Sequence, residues 1–214
     1  MSRPPWLIAA LAAGSLALLL AACTSHQDGD NGLTHHGDGK GGILSVGTDD
    51  GGGSWGMAPP RRNQRWSGSF GLYILCTTGG RSARLEDVTW TSSAEPLGVD
   101  VYVRRIPARK DRKSGEDYSP IGMLRGTPDT HPEWGGEFVD YEGQLIDRPC
   151  RSEGRPDVDG EREDLVIALT AGSDGAVLDD FTIVYTSEGR RYALDVAWSM
   201  ALCGPAVTEG CSQG

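Results

Sequence analysis

Apolar and polar residues alternate over 181–185 (Phe181, Ile183, Tyr185) and again over 192–202 (Tyr192, Leu194, Val196, Trp198, Met200, Leu202). The polar stretch Ser187-Glu188-Gly189-Arg190 separates the two runs. A period of two gives each run one apolar face, so the pair predicts a β-hairpin. A loop of two or four residues sets Tyr185 opposite Tyr192, Ile183 opposite Leu194 and Phe181 opposite Val196. A three-residue loop would set Phe181 against Asp195 and mix the faces, so the apolar pattern selects the even register.

Further short runs predict strands over 70–76, 85–90, 97–103, 138–141, 144–146 and 165–169, with Gly, Ser, Asp and Pro turns between them. Within 85–90, strict alternation puts Leu85, Asp87 and Thr89 on one face and Val88 and Trp90 on the other. After the N-terminal segment there is no long amphipathic stretch with helix-capping signals. Seven or so short strands predict an all-β fold, a single antiparallel β-sandwich over 66–204 with a C-terminal tail over 205–214.

Arg3 and an apolar run over 7–20, broken by Gly14 and Ser15, precede Leu20-Ala21-Ala22-Cys23. A run of this length, ending in small residues, is a secretory signal (1–22) rather than a spanning helix of roughly 20 apolar residues. The tetrapeptide resembles the lipobox of bacterial lipoproteins. That resemblance implies cleavage before Cys23, a diacylglycerol on its thiol, acylation of the new amine, and a place on the extracytoplasmic face of the cell membrane. Several acyl chains hold a protein firmly where one binds marginally.

With Cys23 lipidated, Cys76, Cys150, Cys203 and Cys211 remain. An even number in an exported chain predicts two disulfides, with all three pairings open. Residues 23–65 are rich in Gly and Asp and lack apolar periodicity, which predicts a disordered tether with a reach of roughly 35 Å. His26, His35 and His36 stand near Asp28, Asp30 and Asp38 there, and read as solvated linker rather than a metal site. Asp157-Val158-Asp159-Gly160 lacks the remaining ligands of a calcium loop.

The long stretch 107–136 has no sustained period, and connections of that length are usually functional or mobile. It follows Arg104 and Arg105 and carries Arg109, Lys110, Arg112 and Lys113, a basic run on a chain with a net charge of −10. With Tyr118, His131 and Trp134 these residues form the candidate binding loop, suited to an anionic wall polymer or lipid headgroup. The overall acidity excludes general nucleic-acid binding.

Only His131 lies outside the signal and tether, and the chain has no G-x-S-x-G, S-x-x-K or H-E-x-x-H motif. The expectation is a non-enzymatic binding or structural module without metal or cofactor. Its partners would be the membrane, through the lipid, and an envelope protein or anionic polymer. The alternative is an envelope-acting hydrolase or transferase using carboxylates or His131.

The strand, Gly turn and tyrosine-led strand ending in Leu202-Cys203-Gly204, with Leu75-Cys76 and Cys150 before them, resemble small exported proteins of actinobacteria. The resemblance spans 66–204 and implies an immunoglobulin-like sandwich. It assigns no activity and no site residue. Cys211 and the 107–136 loop depart from it.

Overall fold

The structure, a computed structural model, describes residues 32–48, 51–60, 64–151, 155–158 and 160–211. The signal segment, Cys23, His26, Asp28 and Asp30 lie outside the described residues. In chain order the first strands are β1 (Thr34–Gly37), β2 (Leu44–Ser45), β3 (Gly53–Met57), β4 (Trp66–Thr77), β5 (Ala83–Thr91), β6 (Gly98–Ile106) and β7 (Ile121–Arg125). Then follow β8 (Glu137–Asp140), β9 (Leu145–Ile146), β10 (Arg162–Ala171), β11 (Ala176–Leu178), β12 (Asp180–Ser187), β13 (Arg190–Val196) and β14 (Trp198–Leu202). Single 3-10 turns occur at Arg109–Asp111 and Pro128–Thr130.

The chain is all-β. One sheet runs β2-β4-β10-β6-β8, with β7 also on β4, and a second runs β1-β13-β12-β5-β9. Their inner faces share one core, Phe70, Tyr73, Leu165 and Ile167 from the first and Leu85, Phe181, Ile183 and Leu194 from the second. The Tyr73 and Phe181 rings meet edge to face at 4.8 Å. A third sheet, β11-β14-β3, adds Leu178, Met200, Leu202 and Met57 to the same core. Burial on both inner faces is what fixes strand register in such a sandwich.

The hairpin takes the register its apolar pattern selects, with Phe181 opposite Val196, Ile183 opposite Leu194 and Tyr185 opposite Tyr192. Ser187 pairs with Arg190, leaving a two-residue loop of Glu188 and Gly189. Both have positive φ, +50° and +75°, the geometry of a type I′ turn, whose backbone twist matches that of the flanking strands.

Strict alternation fails in β5. The pairing with β12 slips between Val184 and Tyr185, which face Asp87 and Leu85 respectively, so Glu86 is the extra residue of a bulge. The bulge brings Leu85 and Val88 to the same, buried face. A similar irregularity opposite Leu165 and Ile167 puts Phe70 and Tyr73 of β4 together in the core.

The expected tether over 23–65 is corrected where it can be followed. Strand β1 adds in parallel to β13, β3 adds in parallel to β14, and Ile43, Leu44 and Val46 are core residues. Polar anchors hold this segment. Buried Asp38 accepts hydrogen bonds from Ser45 Oγ, Val46 N, Thr48 N and Thr48 Oγ1. The Tyr185 hydroxyl accepts from the amides of Ile43 and Leu44 and donates to His36 Nε2 at 2.7 Å. His35 Nδ1 lies 3.0 Å from Asp195 Oδ2.

The C-terminal boundary moves as well. Val207 is buried, the Ala206 amide donates to the Asp174 carbonyl, and Cys211 is bonded to Cys203, so the expected tail from 205 is packed at least to Cys211. The other disulfide joins Cys76 to Cys150, and the amides of Thr77 and Cys150 donate to Arg148 and Thr77 carbonyls beside it.

Glu188 occupies the left-handed region that glycine and asparagine tolerate best. Glu188→Asn is expected to stabilise the protein by about 0.5–1 kcal/mol, read as a higher urea midpoint. An unchanged or lower midpoint would show that the turn carries no strain at this position.

Candidate functional site

On β10, Leu165 and Ile167 point into the core, so Arg162, Asp164 and Val166 point to the opposite face. Opposite them on β6 stand Ile106, Arg104 and Tyr102. The 107–136 loop lies over this face. Ile121 and Trp134 pack on Val166, with Tyr102, Leu124 and Phe138 around them, as a second, smaller core. This stretch, whose lack of period led to the expectation of a functional or mobile connection, is a packed layer. Its strand β7 pairs with β4, and the turn at 127–130 closes with reciprocal bonds between Thr127 and Thr130.

Between sheet and loop lies a buried charge cluster. Arg104 (1% exposed) donates from Nε to Gly135 O, from Nη1 to Ser119 O and from Nη2 to Asp117 O, at 2.7, 2.8 and 2.6 Å. Arg162 (3% exposed) donates from Nε to Asp164 Oδ1 at 2.9 Å, from Nη1 to Val158 O at 2.8 Å and from Nη2 to Tyr118 O at 2.6 Å. Asp164 is fully buried, with Oδ2 at 3.8 Å from Arg104 Nη1. Burial pushes the Asp164 carboxyl above the ordinary aspartate range, and the attraction of both guanidiniums works against that shift. Burial likewise lowers the proton affinity of Arg104, while Asp164 supports its charge. Two guanidiniums face one buried carboxylate here, and the nearby Asp117 carboxylate also supports the charge of Arg104.

The structure distributes the sequence-derived binding residues among different roles. Arg104 is interior and is corrected from a docking residue to a loop anchor. Tyr118 and Trp134 are buried rather than presented to solvent. Tyr118 Oη accepts from the Lys113 amide and donates to Glu116. Trp134 carries the His131 ring stacked on it at 4.7 Å, and His131 Nδ1 lies 2.7 Å from Glu133 of the same turn. Arg105 is 3.7 Å from Glu137 and donates to Gln144, while Lys113 is 3.6 Å from Glu116. Lys110 is exposed on the first 3-10 turn. Among the described residues, the carboxylate hydrogen-bonded to His131 is Glu133 of its own loop.

Arg109 and Arg112 do converge. With Arg162, Tyr118 and Ser119 they line a basin of about 700 Å³, closed on one side by Pro120 and Val158. Arg112 lies 5.4 Å over the Tyr118 ring and donates to Pro107 O and Gly160 O. Among the described residues no carboxylate lines the basin. Sequence reasoning missed Arg162, because it lies 50 residues beyond Arg112 and no local pattern links them.

A largely apolar groove of about 510 Å³ adjoins the basin, lined by Trp55, Trp198, Leu72, Tyr73 and Pro156, by the same Pro120 and Val158, and by one charged residue, Arg155. It opens where β4 lacks a neighbour. Strand β7 pairs with β4 over 68–71 and β2 pairs with it at Cys76 and Thr77, so Leu72 falls between the two. Glycines let the indoles close in. A Cβ on Gly53 would stand 2.8 Å from the Trp198 ring, and one on Gly122 would stand 3.1 Å from that of Trp55. The Trp198 Nε1 donor is buried without a hydrogen-bond partner among the described residues.

Comparison with known proteins adds no family: neither a protein-family model nor a curated protein matches the chain.

Arg104→Met is expected to cost roughly 3–5 kcal/mol, because it removes a partner of buried Asp164 and frees three loop carbonyls. Urea unfolding with limited proteolysis of 107–136 checks this; unchanged stability would refute the anchoring role. Glu163, whose Oε2 is buried without a hydrogen-bond partner among the described residues, is raised above the ordinary glutamate range by burial. A raised carboxyl contributes most below its unfolded pKa of about 4.3, and the contribution is lost as pH climbs through the folded value. Glu163→Gln is therefore expected to gain stability over the wild type as pH rises from roughly 4 to 7, seen as diverging urea midpoints. Parallel midpoints would refute it.

Proposed function

We propose that the protein is a non-enzymatic binding module, lipid-anchored through Cys23 on the extracytoplasmic face of the membrane, which holds an anionic envelope component in the arginine-lined basin. The observation that carries this reading is the convergence of Arg109, Arg112 and buried Arg162 on one concavity of a chain whose net charge is −10. Guanidiniums suit phosphate and carboxylate groups because their planar fork makes paired, charge-assisted hydrogen bonds. Arg162 is pre-oriented by its bonds to Asp164, Val158 and Tyr118, so little ordering entropy remains to be lost on binding. The two disulfides support an oxidising compartment, and the Leu20-Ala21-Ala22-Cys23 segment supports the anchor.

Short-chain polyphosphate titrated into the purified full chain is the test. Binding that weakens with salt, and weakens about tenfold further in Arg109→Glu through loss and reversal of one charge, is the expected result. Absence of binding by the wild type would overturn the reading of the basin. For the anchor, Cys23→Ser is expected to move the protein from the membrane to the soluble fraction, and retention in the membrane would overturn lipidation at that residue.

A further inference from the structure

None of the three basin arginines lines the groove at β4, so its occupant is independent of the anion-binding reading. We propose that the groove is a binding site for a compact, neutral ring compound with a hydrogen-bond acceptor, such as a ketone or quinone. The ring lies against Trp55 and Trp198, and the acceptor meets the Tyr73 hydroxyl.

That hydroxyl is the observation that points to a ligand. Tyr73 is 3% exposed, and its ring stands edge to face with Phe181 at 4.8 Å and with Trp198 at 6.3 Å, so it is held from the core side. The hydroxyl makes no hydrogen bond among the described residues, and burial alone pushes its pKa above the ordinary tyrosine range. A buried phenol usually finds a partner, and this one lines a concavity of about 510 Å³, a size that takes a small molecule. The other polar side chains of the wall offer less. Thr48 Oγ1 already donates to Asp38, and Arg155 is exposed, with its charge screened by water. Trp198 Nε1 is closed off from solvent, which the Tyr73 hydroxyl is not.

Shape and polarity select the class. Pairing of β4 with β7 ends at Gly71 and pairing with β2 begins at Cys76, so the open stretch 72–75 spans roughly 13 Å. One or two fused rings fit that length, whereas an extended chain running along the strand does not. The two indoles, 5.5 Å apart and inclined at 57°, present aromatic surface, against which another ring gains more than its buried area alone provides. Leu72 and Val158, 38% and 48% exposed, border the same groove and add apolar contact. Surroundings that raise a phenol by burial disfavour any charge placed beside it, so the ligand is neutral. A protonated phenol donates, so the ligand's polar atom is an acceptor.

The test uses the full chain carrying Cys23→Ser and three naphthalenes of similar shape. These are 2-acetylnaphthalene, which has a ketone, 2-isopropylnaphthalene, which has no acceptor, and 2-naphthoate, which is charged. Calorimetry gives each affinity. The ketone is expected to bind roughly three- to tenfold more tightly than the isopropyl compound, the net effect of one hydrogen bond. It is expected to bind at least about tenfold more tightly than the carboxylate. In Tyr73→Phe the advantage of the ketone is expected to vanish while the isopropyl compound keeps its affinity within about twofold, a split that a merely structural role for Tyr73 would not produce. Trp55→Leu is expected to weaken both neutral compounds about fivefold. Leu72→Asp, on another wall and partly open to water, is the second variant should Trp55→Leu fail to fold, and a loss of similar size is expected.

Equal affinity for the ketone and the isopropyl compound, or the same loss of both in Tyr73→Phe, would overturn the hydroxyl contact and with it the assigned class. Naphthoate binding as tightly as the ketone would overturn the neutral ligand. Ketone binding that survives both Trp55→Leu and Leu72→Asp would overturn the groove as the site, and so would absence of binding by the wild type. None of these outcomes bears on polyphosphate, whose binding reads the basin arginines.

Discussion

Fully buried Asp164, flanked by Arg162 at 2.9 Å and Arg104 at 3.8 Å, is the constraint through which the sheet and its covering loop become one body. Charges taken out of water cost several kcal/mol each unless the remaining donors and acceptors are met. Here the two arginines spend their other N–H groups on carbonyls of Asp117, Tyr118, Ser119, Gly135 and Val158. Those carbonyls belong mostly to irregular backbone, the Asp117 carbonyl also accepting from the Gly135 amide, while Asp164 Oδ2 has no hydrogen-bond partner among the described residues. A stretch from 107 to 136 is thereby held in one conformation, which an apolar patch as small as Ile121, Trp134 and Val166 would specify less tightly.

The same logic recurs at the N-terminal segment. Its apolar residues are few, and its position is fixed by a carboxylate and a phenol buried where amides need acceptors, Asp38 for Val46 and Thr48, Tyr185 for Ile43 and Leu44. Strands β1 and β3 then cover edges of β13 and β14 that would otherwise present unpaired backbone groups. Each disulfide fastens an irregular stretch to a strand end, Cys150 to β4 and Cys211 to the residue after β14. In this sandwich the ladders supply repetition and the polar anchors supply uniqueness.

The basin and the groove are consequences of those anchors. Arg162 reaches the basin floor because its neighbours on β10 alternate inward and outward, and Ser119 and Tyr118 are drawn to it by the cluster beneath. The groove exists because β7 and β2 pair with different parts of β4 and leave Leu72 between them. The basin is lined by residues of the 107–136 loop, by Val158 and by Arg162 at the start of β10, and Pro120 and Val158 line the groove as well.

The hairpin was legible from sequence because its information is local: six apolar positions and a four-residue turn permit one register that buries a single face. The all-β class, the lone histidine of 66–204 and the four cysteines available for two disulfides were legible for similar reasons, being matters of composition and period. Bulges were not, since Glu86 differs from its neighbours in no way that marks an extra residue; its place follows from how β12 pairs with β5. The Gly- and Asp-rich segment was read as tether because parallel edge strands such as Thr-His-His-Gly have no apolar period, and Asp38 looks like any solvated aspartate until its partners ten residues on are folded around it. Arg104 and Arg109 look alike along the chain. Burial separates them, and burial is decided by Asp164, sixty residues away on a neighbouring strand. Sequence by itself determined the class, the hairpin and the redox chemistry, because these depend on short-range pattern and composition. Tertiary structure alone decided which cations are interior, which face water, and where an apolar wall meets a charged one, because those depend on contacts between residues that the chain keeps far apart.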